Sequence, residues 1–288
     1  APEWAPAEVQ YAQYSVWRRE LLGAETDTKS LASQQIAYWK TELAGLPGEL
    51  SLPADRPRPR EWSYGAGRES FQIDQRTHRT LLTLTHQQHA SLFTALRSAV
   101  AMLLARLSED RDIAIGTPPV AGRGDPALDD VVGMFVNTIV LRTHIDPGMG
   151  FAEIVDQSRD VELRALAQSE VQFERLVEVL DPPRSASLHP FFQVALSLNN
   201  FIPATLNADV LRFEITPRPL DIAKCDLHFH FTERHDTAGQ PAGIDAELVY
   251  STDLFDASTV RSFIDGLQVV LAEIAPSTLH RPGLPANR

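Results

Sequence analysis

The sequence has 288 residues, 43% hydrophobic and 22% charged, which are the proportions of a globular protein with one large or two small domains. Its formal net charge is −12, from 38 acidic and 26 basic residues, and such a surface argues against nucleic-acid binding. A single cysteine excludes an internal disulfide and favours a cytoplasmic location. The sequence contains no apolar run of about 18 residues, so no membrane-spanning helix is predicted.

The first 66 residues are predicted to form two helices and a proline-rich connector. The helices cover 9–22 and 31–43, and their apolar residues recur at helical spacing: Tyr11, Tyr14, Val16 and Trp17 in the first, Ile36, Trp39 and Leu43 in the second. The passage LPADRPRPREW (52–62) cannot be helical because of its prolines, so we expect it to run extended over the surface. Its arginines, Arg56, Arg58 and Arg60, are expected to be solvated.

Residues 67–275 alternate between strand and helix patterns. Strands are predicted at 68–74, 112–116, 135–143, 191–200, 210–216, 226–233 and 243–252, and helices at 91–107, 151–166, 173–180 and after Asp256. This alternation favours an α/β fold with one mixed sheet packed by helices. Residues 276–288 are predicted to be a linker.

Six passages carry a family resemblance. YAQYSVW (11–17), VGMFVNTIVLR (132–142) and RSASLHPFFQV (184–194) resemble the boxes Y-x-D-Y/F-A-x-W, G-x-F-V-N-T-x-x-x-R and R-D-x-S-R-x-P-L-F-Q-V of nonribosomal peptide synthetase condensation domains. Residues 37–59, 112–123 and 247–256 match the same family in the same order. The resemblance implies the carboxy-terminal lobe of such a domain, over residues 67–275, a mixed-sheet sandwich like one lobe of the chloramphenicol acetyltransferase-like fold.

Members of this family form a peptide bond between aminoacyl or peptidyl thioesters that carrier proteins hold on phosphopantetheine arms. The resemblance implies no directly bound cofactor and four partners: the upstream and downstream peptidyl carrier proteins, the upstream half of the domain and an adjacent adenylation domain. The family's catalytic histidine belongs to an upstream H-H-x-x-x-D-G motif, and no adjacent histidine pair occurs in this sequence. We therefore expect this chain alone to be inactive and, as an isolated lobe, to self-associate.

The resemblance also implies site residues. The substrate channel is expected to be lined by Asn137, Phe135, Gly133, Gln193 and Asn200, and a bridging loop beneath it to contain Gly116, Pro118, Gly122 and Arg123. No catalytic residue and no metal ligand is expected in this chain. The family's H-Q-D-x-P-F-E box aligns with QSEVQFE (168–174), where Gln168 replaces a titratable histidine and Gln172 replaces a proline.

Other interpretations of the same residues stay open. Asn137 could simply bond neighbouring backbone, because a buried amide needs partners, and Gly133 could serve a turn. A condensation-like module could recruit other enzymes without catalysis. Asp226, His228 and His230 alternate along a predicted strand and share one face, so they could bind zinc or serve a hydrolase. A catalytic zinc needs three protein ligands, and no other motif supports one here.

Overall fold

The computed structural model describes residues 9–118, 126–129, 131–199, 205–208, 211–214 and 221–277. Its helices are α1 (Tyr11–Leu22), α2 (Leu31–Glu42), α3 (Gln75–Gln87), α4 (Leu92–Ser108), α5 (Phe151–Leu166), α6 (Phe173–Leu180) and α7 (Ala257–Ser277). Its strands are β1 (Ala66–Ile73), β2 (Asp112–Thr117), β3 (Ile139–His144), β4 (Val194–Asn199), β5 (Thr205–Ala208), β6 (Leu211–Glu214), β7 (Leu227–His235) and β8 (Pro241–Ser251).

Six strands form one mixed sheet in the order β1-β8-β7-β4-β2-β3. Strand β4 runs parallel to both β2 and β7, and the other neighbouring pairs are antiparallel. Strands β5 and β6 pair with each other in a separate two-stranded sheet. The predicted α/β class with a mixed sheet is confirmed.

One face of the main sheet is covered by α3, α4 and α7. Leu227, Phe229 and Phe231 of β7 are fully buried on this face, since alternate residues of a strand point the same way. Helix α4 is buried around most of its circumference because it lies between the sheet, α5 and α7. None of the described helices has by itself the length and hydropathy of a membrane span; α3 and α4 reach them only jointly, and they meet at 108°.

The opposite face has two different parts. At its β2–β3 end it carries an apolar cluster in which Trp39 of α2 and Phe173 of α6 pack with Phe192 and with β3. Trp39 is 1% exposed, as its helical spacing predicts. Over β1, β8, β7 and β4 the same face bears polar side chains and floors an open concavity of about 940 Å³, which we call the sheet groove.

Strand β3 is shorter than the sequence predicts. The pattern predicts a strand from residue 135, but β3 begins at Ile139. The Asn137 carboxamide bonds four backbone groups, so side-chain bonds rather than a strand ladder hold the chain before β3.

Helix α3 forms where the sequence analysis predicts no element, and its four threonines have low intrinsic helix propensity. Tertiary packing overrides that preference: Leu81 and Leu84 are buried against the sheet side of the molecule. The Asp74 carboxylate, which accepts a hydrogen bond from the Thr77 N–H at 2.7 Å, starts the helix.

Helix α1 buries a different face from the one that its aromatic residues suggest. Tyr14 is 3% exposed, but Val16 and Trp17 are 59% and 53% exposed. The second buried residue is Arg18, one turn after Tyr14, because its guanidinium bonds to Glu170. A polar contact thus holds this helix on the domain together with the packing of Tyr14.

Candidate functional site

Four side chains from three separate segments hold residues 167–173, which are the connection between α5 and α6 together with the first residue of α6. They are Arg18 of α1, Gln35 and Trp39 of α2, and Asn137 of the loop before β3, and we call this arrangement the clasp. The Arg18 guanidinium donates to the backbone carbonyl oxygen of Glu170 at 2.6 Å. The Trp39 indole N–H donates to the backbone carbonyl oxygen of Gln168 at 2.9 Å. Gln35 accepts from the Val171 N–H at 2.9 Å. Through Trp39 and Asn137 the clasp brings two of the family-like passages, 37–59 and 132–142, onto the QSEVQFE segment, and Arg18 directly follows a third, 11–17.

Asn137 supplies the most extensive contact of the clasp. Its amide nitrogen donates to the carbonyl oxygens of Ser169 and Val171 at 2.7 and 2.9 Å. Its amide oxygen accepts from the backbone N–H groups of Thr138 and Phe173 at 2.8 and 3.0 Å. The side chain is 3% exposed, and its full hydrogen-bonding capacity is used inside the protein. This geometry supports the interpretation in which Asn137 bonds backbone.

Phe135 and Gly133 belong to an aromatic cluster against α1. The Phe135 ring lies 4.8 Å from the Tyr14 ring and 5.4 Å from the Tyr11 ring, centroid to centroid. A Cβ atom at Gly133 would lie 2.1 Å from a ring carbon of Tyr11, so the glycine permits this close approach. The Tyr11 hydroxyl donates to the Met134 carbonyl oxygen at 2.9 Å. The cluster therefore fixes the loop that carries Asn137.

Gln193 and Gly116 also make contacts within the protein. The Gln193 side chain, 5% exposed, accepts from the Leu50 N–H at 3.0 Å and so ties the connector to the start of β4. A Cβ atom at Gly116 in β2 would lie 2.3 Å from the Phe192 ring. Pro118 is exposed. The remaining predicted site residues, Asn200, Gly122 and Arg123, lie outside the described residues.

Arg58 corrects two sequence-based interpretations. Its guanidinium donates to Asp226 at 2.9 Å and to Glu49 at 2.7 Å, and its side chain is only 16% exposed, so this arginine is ion-paired to the body rather than solvated. Arg56 and Arg60 are exposed, as predicted. Burial would lower the pKa of Arg58, but the two carboxylates outweigh it and raise that pKa above the usual range. Because Arg58 occupies the Asp226 carboxylate, Asp226 does not join the two histidines of β7 as a ligand or a base.

His228 and His230 instead form part of the floor of the sheet groove. Their rings lie 3.7 Å apart, centroid to centroid, and both contact the hydroxyl of Ser197 on β4. The other polar side chains that line the groove are Arg68, Ser70, Gln72, Asn199, Lys224, Thr232, Asp245 and Glu247. Within the described part of the chain, no three histidine, cysteine, aspartate or glutamate side chains come together as a metal-ligand set.

Sequence reasoning missed Arg18, Gln35 and Arg58, three buried or half-buried polar side chains with distant partners. Arg18 and Gln35 lie on the buried sides of α1 and α2, where a polar side chain signals a required partner. The sequence indicates the burial of Arg58 less clearly. Its flanking prolines predict an extended chain but do not predict the direction in which the arginine side chain points.

Known proteins match this chain over most of its length. The condensation-domain family model matches residues 3–282. The chain is 42% identical over 271 residues to a dimodular nonribosomal peptide synthase of Bacillus subtilis and 38% identical over 277 residues to an isonitrile lipopeptide synthase of Mycobacterium tuberculosis. These matches cover 94% and 96% of this chain but 11% of each synthase.

A solved structure is similar as well. The X-domain in its complex with OxyB from teicoplanin biosynthesis aligns with a TM-score of 0.87 and 32% identity, over 96% of this chain and 60% of that chain. The fold, the order of the motif passages and the family match over nearly all 288 residues agree. This chain therefore belongs to the condensation-domain family.

Proposed function

We propose that this chain forms one wall of the chamber in which a nonribosomal peptide synthetase joins an acyl thioester to an amine. The observation that carries the proposal is the clasp, in which residues as far as 152 positions apart meet on the QSEVQFE segment. This convergence turns motif passages that are scattered in sequence into one structural unit. The similarity of this chain to a dimodular nonribosomal peptide synthase supports the same reaction class.

In the proposed reaction the amine nitrogen attacks the thioester carbonyl carbon, the C–S bond breaks and the carrier thiol leaves with the proton. Upstream and downstream peptidyl carrier proteins present the two substrates on phosphopantetheine arms, and an adenylation domain loads them. Tethering removes most of the entropic cost of bringing two reactants together. The chain's contribution is then a rigid, correctly shaped wall.

The proton acceptor is proposed to come from residues outside this sequence. No adjacent histidine pair occurs among the 288 residues, and Gln168 occupies the position of a family histidine. A carboxamide cannot take up a proton at neutral pH, so these residues alone should not catalyse amide formation.

Reconstitution tests this function. The 288-residue protein is assayed alone and joined to a segment that carries H-H-x-x-x-D-G, with two loaded carrier proteins, and the carrier-bound products are identified by mass spectrometry. We expect amide product only from the joined protein, and none when the second histidine of that motif is changed to alanine. Product from the 288 residues alone, or no product from a correctly folded joined protein, would contradict the proposal.

A second candidate function is recruitment of an enzyme that modifies carrier-bound peptides. The likeness to an X-domain that was solved in complex with OxyB favours it. Under this alternative the joined protein forms no amide, yet it binds a modifying enzyme of the same biosynthetic system in a titration with purified components. Amide formation without such binding would contradict recruitment.

A further inference from the structure

The floor of the sheet groove is built from rows of side chains that cross the strands in register. Ser197 of β4 pairs with His230 of β7, His230 pairs with Glu247 of β8, and Glu247 pairs with Ser70 of β1. Paired residues point to the same side of a sheet, so these four side chains form one continuous polar row. On the other face of β7 the neighbouring residues are phenylalanines of the core, so the polarity is confined to the groove side.

His228 lies in the adjacent row and is coupled to His230 through one hydroxyl. The Ser197 Oγ lies 2.8 Å from Nδ1 of His230 and 3.3 Å from Nε2 of His228. Each imidazole therefore uses one ring nitrogen on Ser197. The other ring nitrogens, Nε2 of His230 and Nδ1 of His228, make no further hydrogen bond within the described part of the chain and are available to a molecule in the groove.

Burial is the main reason that the two rings stay neutral. Burial, followed by the charges of His230 and Lys224, lowers the pKa of His228 to about 3. Burial also lowers the pKa of His230, and the attraction of Glu247 opposes it only in part. A neutral imidazole has one ring nitrogen that can accept a hydrogen bond, which a protonated imidazole lacks.

The two carboxylates that line the groove already have cationic partners. Glu247 is paired with Arg68 at 2.7 Å, and Asp245 lies 3.4 Å from Arg234, so both carboxylates are already occupied. Lys224 adds a positive charge to the lining. Because Ser197 has a single hydroxyl proton, at least one imidazole donates its N–H to the Ser197 Oγ and keeps its other ring nitrogen as an acceptor. An uncharged amine can donate to that acceptor without repulsion from these cations, whereas an ammonium group is repelled by them.

We propose that His228 and His230, held by Ser197, form a subsite in the sheet groove that binds the uncharged amine of the nucleophilic substrate. The inference rests on the proposed function, because an amine is the nucleophile of amide formation. Only the uncharged form has the lone pair that attacks a thioester. The subsite would therefore both position the substrate and favour its reactive form.

Binding measurements on the 288-residue protein test the subsite directly. A panel of amino-acid amides, and the N-acetylated form of each, is titrated above the pKa of the probe's amine, while NMR follows the histidine ring signals. We expect at least one free amine to bind saturably and to shift the His228 and His230 signals, and its N-acetylated form to bind at least about tenfold more weakly, a loss of about 1.4 kcal/mol. Equal binding of both forms, or no shift at either ring with any probe, would overturn the proposal.

Variants separate binding from folding. His230→Asn keeps a polar atom near the Nδ1 position, so the contact with Ser197 can persist, but it has no counterpart of Nε2. We expect it to lose amine binding at an unchanged unfolding temperature. The control is His144→Asn, a histidine on the β3 edge with a 54% exposed side chain, which should bind like the parent protein. Unchanged amine binding in folded His230→Asn would overturn the proposal.

The joined protein distinguishes this inference from the function on which it rests. Amide formation with an unchanged KM for the amine in His230→Asn would overturn the subsite and leave the function standing. Amine binding that depends on His230, in a joined protein that forms no amide, would support the subsite and contradict the function.

Discussion

The indole N–H of Trp39 donates to the Gln168 carbonyl oxygen at 2.9 Å and joins two segments that are 129 residues apart. Trp39→Phe keeps most of the apolar contact but removes the only donor atom of the ring. We expect the free energy of unfolding to fall by about 1–2 kcal/mol, measured by urea denaturation. Trp17→Phe is the matched control, because Trp17 is 53% exposed on α1. Equal losses in both variants would contradict a specific role for the Trp39 contact.

Asn137→Ala removes four hydrogen bonds and leaves buried backbone groups without partners. We expect a loss of about 3 kcal/mol in the free energy of unfolding. Asn137→Asp should be at least as unstable at neutral pH, because a carboxylate would face the carbonyl oxygens of Ser169 and Val171. Wild-type stability for Asn137→Ala, together with lost activity of the joined protein, would contradict the structural role and favour a channel-lining one.

Arg58→Met leaves the carboxylate of Asp226, which is 1% exposed, without its main partner. Removing one member of a buried ion pair costs about 3–5 kcal/mol, and we expect a loss in that range on urea denaturation. The double variant Arg58→Met with Asp226→Leu should recover part of the lost free energy of unfolding, because it leaves no unpaired carboxylate buried at this site. Arg56→Met, which removes a half-exposed pair with Asp256, should cost less than about 1 kcal/mol. A loss in the double variant equal to the sum of the losses in the two single variants would contradict coupling between Arg58 and Asp226.

The histidine pair makes stability depend on pH in a defined direction. The pKa of His228 is about 3 in the folded protein, against an ordinary value of 6.5. Between these values His228 binds more protons in the unfolded chain than in the folded one, so its contribution to the free energy of unfolding is largest above pH 6.5 and is lost as the pH drops towards 3. We expect His228→Asn to reduce this slope and His144→Asn to leave it unchanged. An equal pH dependence of the free energy of unfolding in the parent protein, His228→Asn and His144→Asn would contradict the prediction.

The loop before β3 exposes Val132, Met134 and Val136, whose exposed fractions are 94%, 62% and 43%. Adjacent exposed apolar side chains favour association, so we predict that this protein self-associates at high concentration. Light scattering across a concentration series measures it, and Met134→Asp should weaken it. Leu163→Asp, at a 61% exposed position on α5, is the control. A monomer at every concentration would contradict the prediction.

The sequence by itself determined the fold class, most of the helices and strands, and the family. Alternation along β7 and helical spacing along α4 report burial directly, and the passages around Tyr11, Asn137 and Gln193 are recognisable as short strings of residues. These properties are local, so neighbouring residues suffice to specify them.

Only the tertiary structure decided which polar groups meet. The partner of Trp39 lies 129 residues away and the partner of Arg58 lies 168 residues away, and no local pattern encodes such a pairing. The same reason explains why α1 buries Arg18 instead of Trp17, why α3 forms despite its threonines, and why Asp226 is separated from His228 and His230. A buried polar side chain takes the orientation that satisfies its hydrogen bonds, and its partners become neighbours only after the chain has folded.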